Sequence, residues 1–130
     1  MSRKTALTTH RVTAYEYLTV RRVRERQNLE RIDLIGEVDL CTAPLLQTAL
    51  ADHDGRGATN VLVDLSQVNF LALAGVHVLQ EAAARRASVN HRLVLAAPTA
   101  AVQRMFRLTD AAEHLDIYVS TPKALSALEV

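Results

Sequence analysis

The sequence predicts an α/β fold: a mixed, mostly parallel five-stranded sheet with an N-terminal antiparallel hairpin and about four main helices. Three observations carry that expectation. Val61-Leu62-Val63 is a short β-branched apolar run, the pattern of a strand covered on both faces. Val76, Leu79, Ala83 and Ala87 recur every three or four residues, which lines up one face of a helix. Strands and helices alternate after the opening residues, and right-handed crossovers then make those strands parallel.

The elements follow in order. Residues 1–14 are polar and irregular and read as a flexible N-terminal arm, leaving 15–130 as a single domain. From Tyr15 to Arg24 the side chains alternate: Tyr15, Tyr17, Thr19 and Arg21 fall on one side, Glu16, Leu18, Val20 and Arg22 on the other. That is the period of a half-exposed edge strand. Glu25-Arg26-Gln27-Asn28 turns the chain into a second strand, Leu29 to Val38. Thr42 is a good N-cap and Pro44 suits a helical first turn, with Leu45, Leu46, Ala49 and Leu50 as the apolar stripe. Asp54-Gly55-Arg56-Gly57 stops that helix.

Strand three is expected over Asn60–Asp64, ended by the Asp64 charge, and a polar turn leads to helix two over Ala74–Ser88, with Arg85 and Arg86 toward solvent. Strand four covers Arg92–Ala96, and Pro98 closes it. Thr99 caps helix three, whose Val102, Met105 and Phe106 face inward. Strand five covers Asp116–Val119. Thr121-Pro122 then reads as an N-cap and first helical residue of a closing helix.

Composition excludes several classes. At 130 residues the chain is long enough for one unstapled core. The aromatic share is 4%, so that core must be built from Leu, Val, Ile and Ala. A formal net charge of +1 gives no general reason to bind nucleic acid. Cys41 stands alone, so no intrachain disulfide can form. The first residues lack the apolar run of a secretory signal and no stretch of about 18 apolar residues occurs, so a cytoplasmic location without a membrane span is expected.

The run Asp64-Leu65-Ser66-x-Val68-x-Phe70, followed by Gly75-Val76, resembles the signature of the STAS domain, named for sulphate transporters and anti-sigma factor antagonists. Gly36-Glu37-Val38-Asp39 is similar to that family's Gly-Glu-x-Asp before the first helix, and Leu108-Thr109-Asp110 to its Leu-Thr-Gly. The resemblance covers roughly Tyr17 to Val130 and implies a small α/β binding module. In regulated members the segment after the Phe is Asp-Ser-Ser-Gly, whose first Ser accepts a phosphate from a switch-protein kinase that is also an anti-sigma factor. Here that segment is Ala72-Leu73-Ala74-Gly75, so the acceptor position is Leu73, which cannot carry a phosphate.

The resemblance implies a partner-binding surface made of Asp39, Cys41, Thr42, Asp64, Ser66, Ala72, Leu73, Ala74, Gly75, Val76 and His77. Each has a plainer alternative. Asp39 and Asp64 sit at strand ends, where open α/β sheets bind ligands, yet carboxylates also cap turns there. Leu73 is either a standing hydrophobic contact or the residue left after an acceptor was lost. Cys41, just before a helix, is either a reactive thiol or a small packed hydrophobe. Ser66 lacks a Gly-x-Ser-x-Gly frame and reads as a turn residue. The basic run Arg21, Arg22, Arg24 and Arg26 is either a charged edge or a site for an acidic partner.

No catalytic constellation, metal-ligand spacing among the five histidines or phosphate-binding glycine motif is present in the sequence. No cofactor is therefore expected. The first functional expectation is a non-enzymatic regulator that binds an anti-sigma factor or switch-protein kinase and so changes sigma-factor-dependent transcription, with homodimerisation an open alternative. The second is a STAS scaffold subunit of a transporter or stress-signalling complex.

Overall fold

The structure, a computed structural model, describes residues 11–14, 17–52 and 60–129. Six strands form one sheet in sequence order: β1 (Arg11–Ala14), β2 (Leu18–Arg26), β3 (Leu29–Val38), β4 (Asn60–Leu71), β5 (Leu93–Ala96) and β6 (Asp116–Tyr118). Four α-helices connect them: α1 (Ala43–Asp52), α2 (Leu73–Ala87), α3 (Ala100–Leu108) and α4 (Thr121–Ala127), with a 3₁₀ turn over Ala111–His114. β1, β2 and β3 are antiparallel neighbours, and β3 to β6 are parallel. The five expected strands are all present. β1 joins them as a sixth, inside the segment read as an arm, so β2 is flanked on both sides rather than lying at the edge. Residues 1–10 and the Asp54–Gly57 turn lie outside the described residues.

The sheet buries two clusters. The larger gathers Leu18, Val20, Ile32, Leu34, Val61 and Val63 of the sheet with Leu46 and Leu50 of α1, Val76 and Leu79 of α2, and Val102 and Phe106 of α3. The smaller packs Leu29, Leu62, Val94 and Ala96 against Ala124 and Leu128 at α4. Consecutive strand residues point to opposite faces, so Val61-Leu62-Val63 serves both clusters, as an apolar run on a two-sided sheet must.

Three local expectations need correction. β4 does not end at Asp64. Its register against β3 jumps from Asp33↔Asp64 to Ile35↔Gln67, and from Gly36↔Val68 to Glu37↔Phe70. Each jump places an extra residue in β4, a bulge that bends the strand while pairing continues. β5 pairs with β4 only as far as Asp64, so Ser66, Gln67 and Asn69 reach solvent. Second, Arg86 of α2 is buried at 5% exposure, and the inward face runs Val76, Leu79, Ala82, Arg86, whereas Ala87 is exposed. A long arginine stem can cover apolar surface, which its charge hides from a pattern reading. Third, the N-cap of α4 is Ser120, whose Oγ accepts from the Lys123 N–H at 3.3 Å. Thr121 is inside the helix. Thr99 caps α3 as expected, accepting from the Val102 N–H at 3.4 Å.

Asp110 lies at φ 57°, in the left-handed region, just after α3. Asp enters that region at a cost that glycine avoids. Asp110→Gly is expected to raise stability by about 0.5–1 kcal/mol in a urea titration, because relief of backbone strain exceeds the added entropy of the unfolded chain.

Candidate protein-docking surface

The ends of β3 and β4 meet the starts of α1 and α2 at one edge of the sheet. Between β3 and α1 the chain turns through Asp39–Thr42. Asp39 Oδ1 accepts from the backbone N–H of Cys41 and of Thr42, both at 2.9 Å. The Thr42 hydroxyl accepts from the Asp39 N–H at 2.9 Å and donates to the Glu37 carbonyl at 3.0 Å. The Thr42 carbonyl receives the Leu46 N–H at 3.2 Å, so Thr42 is the backbone N-cap, while Asp39 supplies the side-chain oxygen. These N–H donors, the Thr42 bond first, hold the Asp39 carboxyl below its ordinary range. Thr42 is buried and its hydroxyl occupied; Cys41 is exposed.

Between β4 and α2 the link is shorter. The Ala72 N–H bonds the Val38 carbonyl at 2.8 Å, stitching the start of α2 to the end of β3. Ala72 is the N-cap and offers no side-chain oxygen to the free N–H groups of the first turn. Gly75 explains how close the elements come: a Cβ there would sit 2.6 Å from Leu71 Cδ1 and 2.7 Å from Val38 Cγ1. Gly75 and Val76 are buried, so they set the seat of α2. Leu73 and His77 are exposed and Ala72 and Ala74 partly so. Leu73 is the first residue of α2, and 48% of it is accessible.

Asp64 and Ser66 belong to a different junction. Asp64 Oδ1 accepts from the Ser66 N–H at 2.8 Å and the Ser66 hydroxyl at 2.6 Å. Its Oδ2 accepts from the Thr121 hydroxyl at 2.9 Å. The carboxylate thus holds the first β4 bulge and ties it to α4. The eleven residues therefore separate into two groups: Asp39, Cys41 and Thr42 beside Ala72–His77, and Asp64 with Ser66 at the α4 junction.

Leu40 and Phe70 are not among the expected site residues, yet they stand 77% and 49% exposed at the ends of β3 and β4. Tyr17 joins them, since its carbonyl accepts the Glu37 N–H at 2.7 Å and Glu37 lies opposite Phe70. With Leu73 they give this sheet end several large exposed apolar side chains, an uncommon concentration at a chain turn. Large apolar residues set among polar neighbours, Leu40 beside Asp39 and Phe70 beside Asn69, are the signal that could have found them. The basic run is largely neutralised: Arg21 pairs with Asp33 at 3.0 Å, Arg22 with Glu30 at 3.0 Å and Arg26 with Glu129 at 3.9 Å. A cavity of about 640 Å³ opens beside the other half of α2, lined by His91 and His114 among others, and no expected site residue lines it. No group of His, Cys, Asp and Glu among the described residues could hold a metal, and no described helix is long and apolar enough to cross a membrane.

Comparison with solved structures shows three likenesses. The fold is similar to an anti-sigma factor antagonist from Mycobacterium paratuberculosis, at 22% identity, 95% coverage of both chains and a TM-score of 0.69. It is similar to the anti-sigma factor antagonist SpoIIAA in its unphosphorylated form, at 13% identity over 92% of this chain and 96% of that one, TM-score 0.68. It is also similar to a sulfate transporter family protein from Wolinella succinogenes, at 17% identity over 78% and 85%, TM-score 0.68. No curated protein sequence matches. The family model described as "Mlab, STAS domain" matches residues 22–118, which run from β2 through β6 and contain Asp39–Thr42, Asp64–Ser66 and Ala72–His77. On that match, spanning well over half its length, the chain belongs to the STAS domain family.

Proposed function

We propose that this chain is a non-enzymatic binding module that regulates a protein of the anti-sigma factor or switch-kinase class, and through it sigma-factor-dependent transcription. It docks through the sheet end where α1 and α2 begin. The observation that carries this reading is the position of Leu73: half exposed on the first turn of α2, at the sheet end that also exposes Leu40 and Phe70, in a segment without a hydroxyl. An apolar residue there offers a contact that desolvates on binding. Phosphorylation at this position cannot switch it. Binding then follows the concentrations of the two proteins by mass action.

Affinity capture from a cell extract tests the proposal with native chain, Leu73→Asp and Leu73→Ser. The native chain is expected to retain an anti-sigma factor or kinase and Leu73→Asp to lose it at least about tenfold, a cost of roughly 1.4 kcal/mol. Since Leu73 is half exposed, thermal stability of the variants should stay within about 0.5 kcal/mol of native. Stoichiometric phosphate on the native chain after incubation with the captured kinase would contradict the reading. Likeness to a sulfate transporter family protein favours a second reading, a scaffold subunit of a transporter. Capture of a transporter subunit instead of an anti-sigma factor would select it.

A further inference from the structure

The β6 edge of the sheet carries a second feature. The Tyr118 carbonyl points toward β5 and accepts the Ala97 N–H at 2.9 Å. Backbone groups alternate along a strand, so the N–H and C=O of Ile117 point away from the sheet. β6 is the last strand, and no described residue bonds that outward pair. Beside it runs a groove of about 290 Å³ between α3 and β6, lined by Pro98, Phe106, Ala112, Ile117 and Val119 with Gln103 and Arg107. Val119 is 76% exposed. Arg107 is the one charged residue of that lining, and Arg104 lies one turn before it on α3. Both are exposed, neither has an ion-pair partner among the described residues, and α3 contains no carboxylate.

We propose that this groove takes an extended segment of a partner protein, added to β6 as a further strand. The Ile117 N–H and C=O would bond its backbone, one branched apolar side chain would fill the groove, and its carboxylates would face Arg104 and Arg107. Charge decides the occupant. Residues 1–10 of this chain include Arg3 and Lys4 and no acidic residue, so they do not match the arginines. A second copy paired edge to edge would bring its own Arg104 and Arg107 to the same strip. Asp110 and Glu113 follow the C-terminal end of α3, so the acidic side chains of the segment are placed along the helix body. A three-residue edge offers few backbone bonds, so the groove and the arginines must supply the selectivity.

Two synthetic heptapeptides test this by amide NMR on the full chain, one alternating Glu with Val and Leu, the other with Lys for each Glu. The Glu peptide is expected to shift and protect the Ile117 and Val119 amides. Arg104→Glu with Arg107→Glu should weaken it at least about tenfold, and Val119→Asp comparably. The Lys peptide should leave those amides unmoved. Equal response to both peptides, or to neither at millimolar concentration, overturns the proposal. So do the same shifts appearing on raising the chain concentration alone, which would make a second copy the occupant.

Discussion

Gly36→Ala is expected to destabilise the domain by about 3 kcal/mol or more, seen as a fall of roughly 10 °C in Tm. Gly36 sits in β3 at φ 120°, a conformation that side chains rarely adopt. A Cβ built there would lie 2.2 Å from the Tyr17 carbonyl oxygen and 3.1 Å from its carbon. Those atoms are backbone, and that oxygen accepts the Glu37 N–H at 2.7 Å where β2 enters the sheet. Neither partner can rotate aside, so relief requires moving the start of β2 and breaking the bond. Gly75→Ala provides the comparison. Its close neighbours are side-chain atoms, Leu71 Cδ1 and Val38 Cγ1, and an Ala in a helix recovers about 1 kcal/mol of propensity. The expected cost is about 1 kcal/mol, well below that of Gly36→Ala. Equal effects would mean that the β2–β3 entry is softer than its geometry implies.

The second large effect concerns charge inside the fold. Arg22 continues the inward row of Leu18 and Val20 on β2, and its side chain is 6% exposed; that of Glu30 on β3 is 8% exposed. Arg22 Nε and Nη2 donate to the two Glu30 carboxylate oxygens at 3.1 and 3.0 Å. This two-point geometry satisfies both groups at once. Glu30→Ala leaves the Arg22 charge in a desolvated place, at an expected cost of about 3–5 kcal/mol. Arg22→Met with Glu30→Leu removes both charges and preserves volume, and is expected within about 1 kcal/mol of native or above it. A urea-unfolding double-mutant cycle reads the difference. If the double variant is as unstable as Glu30→Ala, packing around the pair matters more than its charge balance.

These two sites also show what the sequence can and cannot reveal. The parallel strands, the crossover helices and the Thr99 cap were legible because each has a strong local period or a fixed capping chemistry. The family signature placed Leu73 on the first turn of α2, and it lies there. The course of β4 past Asp64 was not legible. Its polar residues look like a turn, and only the pairing with β3 shows that bulges absorb them. Burial of Arg22, Glu30 and Arg86 was hidden for a related reason, since charged residues enter a core only where a partner or a covering stem awaits them. At the candidate site the family resemblance grouped Asp39, Cys41, Thr42, Asp64, Ser66 and Ala72–His77 as one surface. It could not show that Asp64 and Ser66 face α4, because the bond to Thr121 spans distant parts of the chain.

Leu73 at the head of α2 is the residue on which the functional account turns. The most direct test is isothermal titration of the purified captured partner into native chain and Leu73→Asp, each confirmed as folded by its melting curve. The account predicts measurable binding to the native chain and at least about tenfold weaker binding to Leu73→Asp at unchanged stability. Identical affinities for the two would contradict it, because the partner would then be held by some other face of the domain.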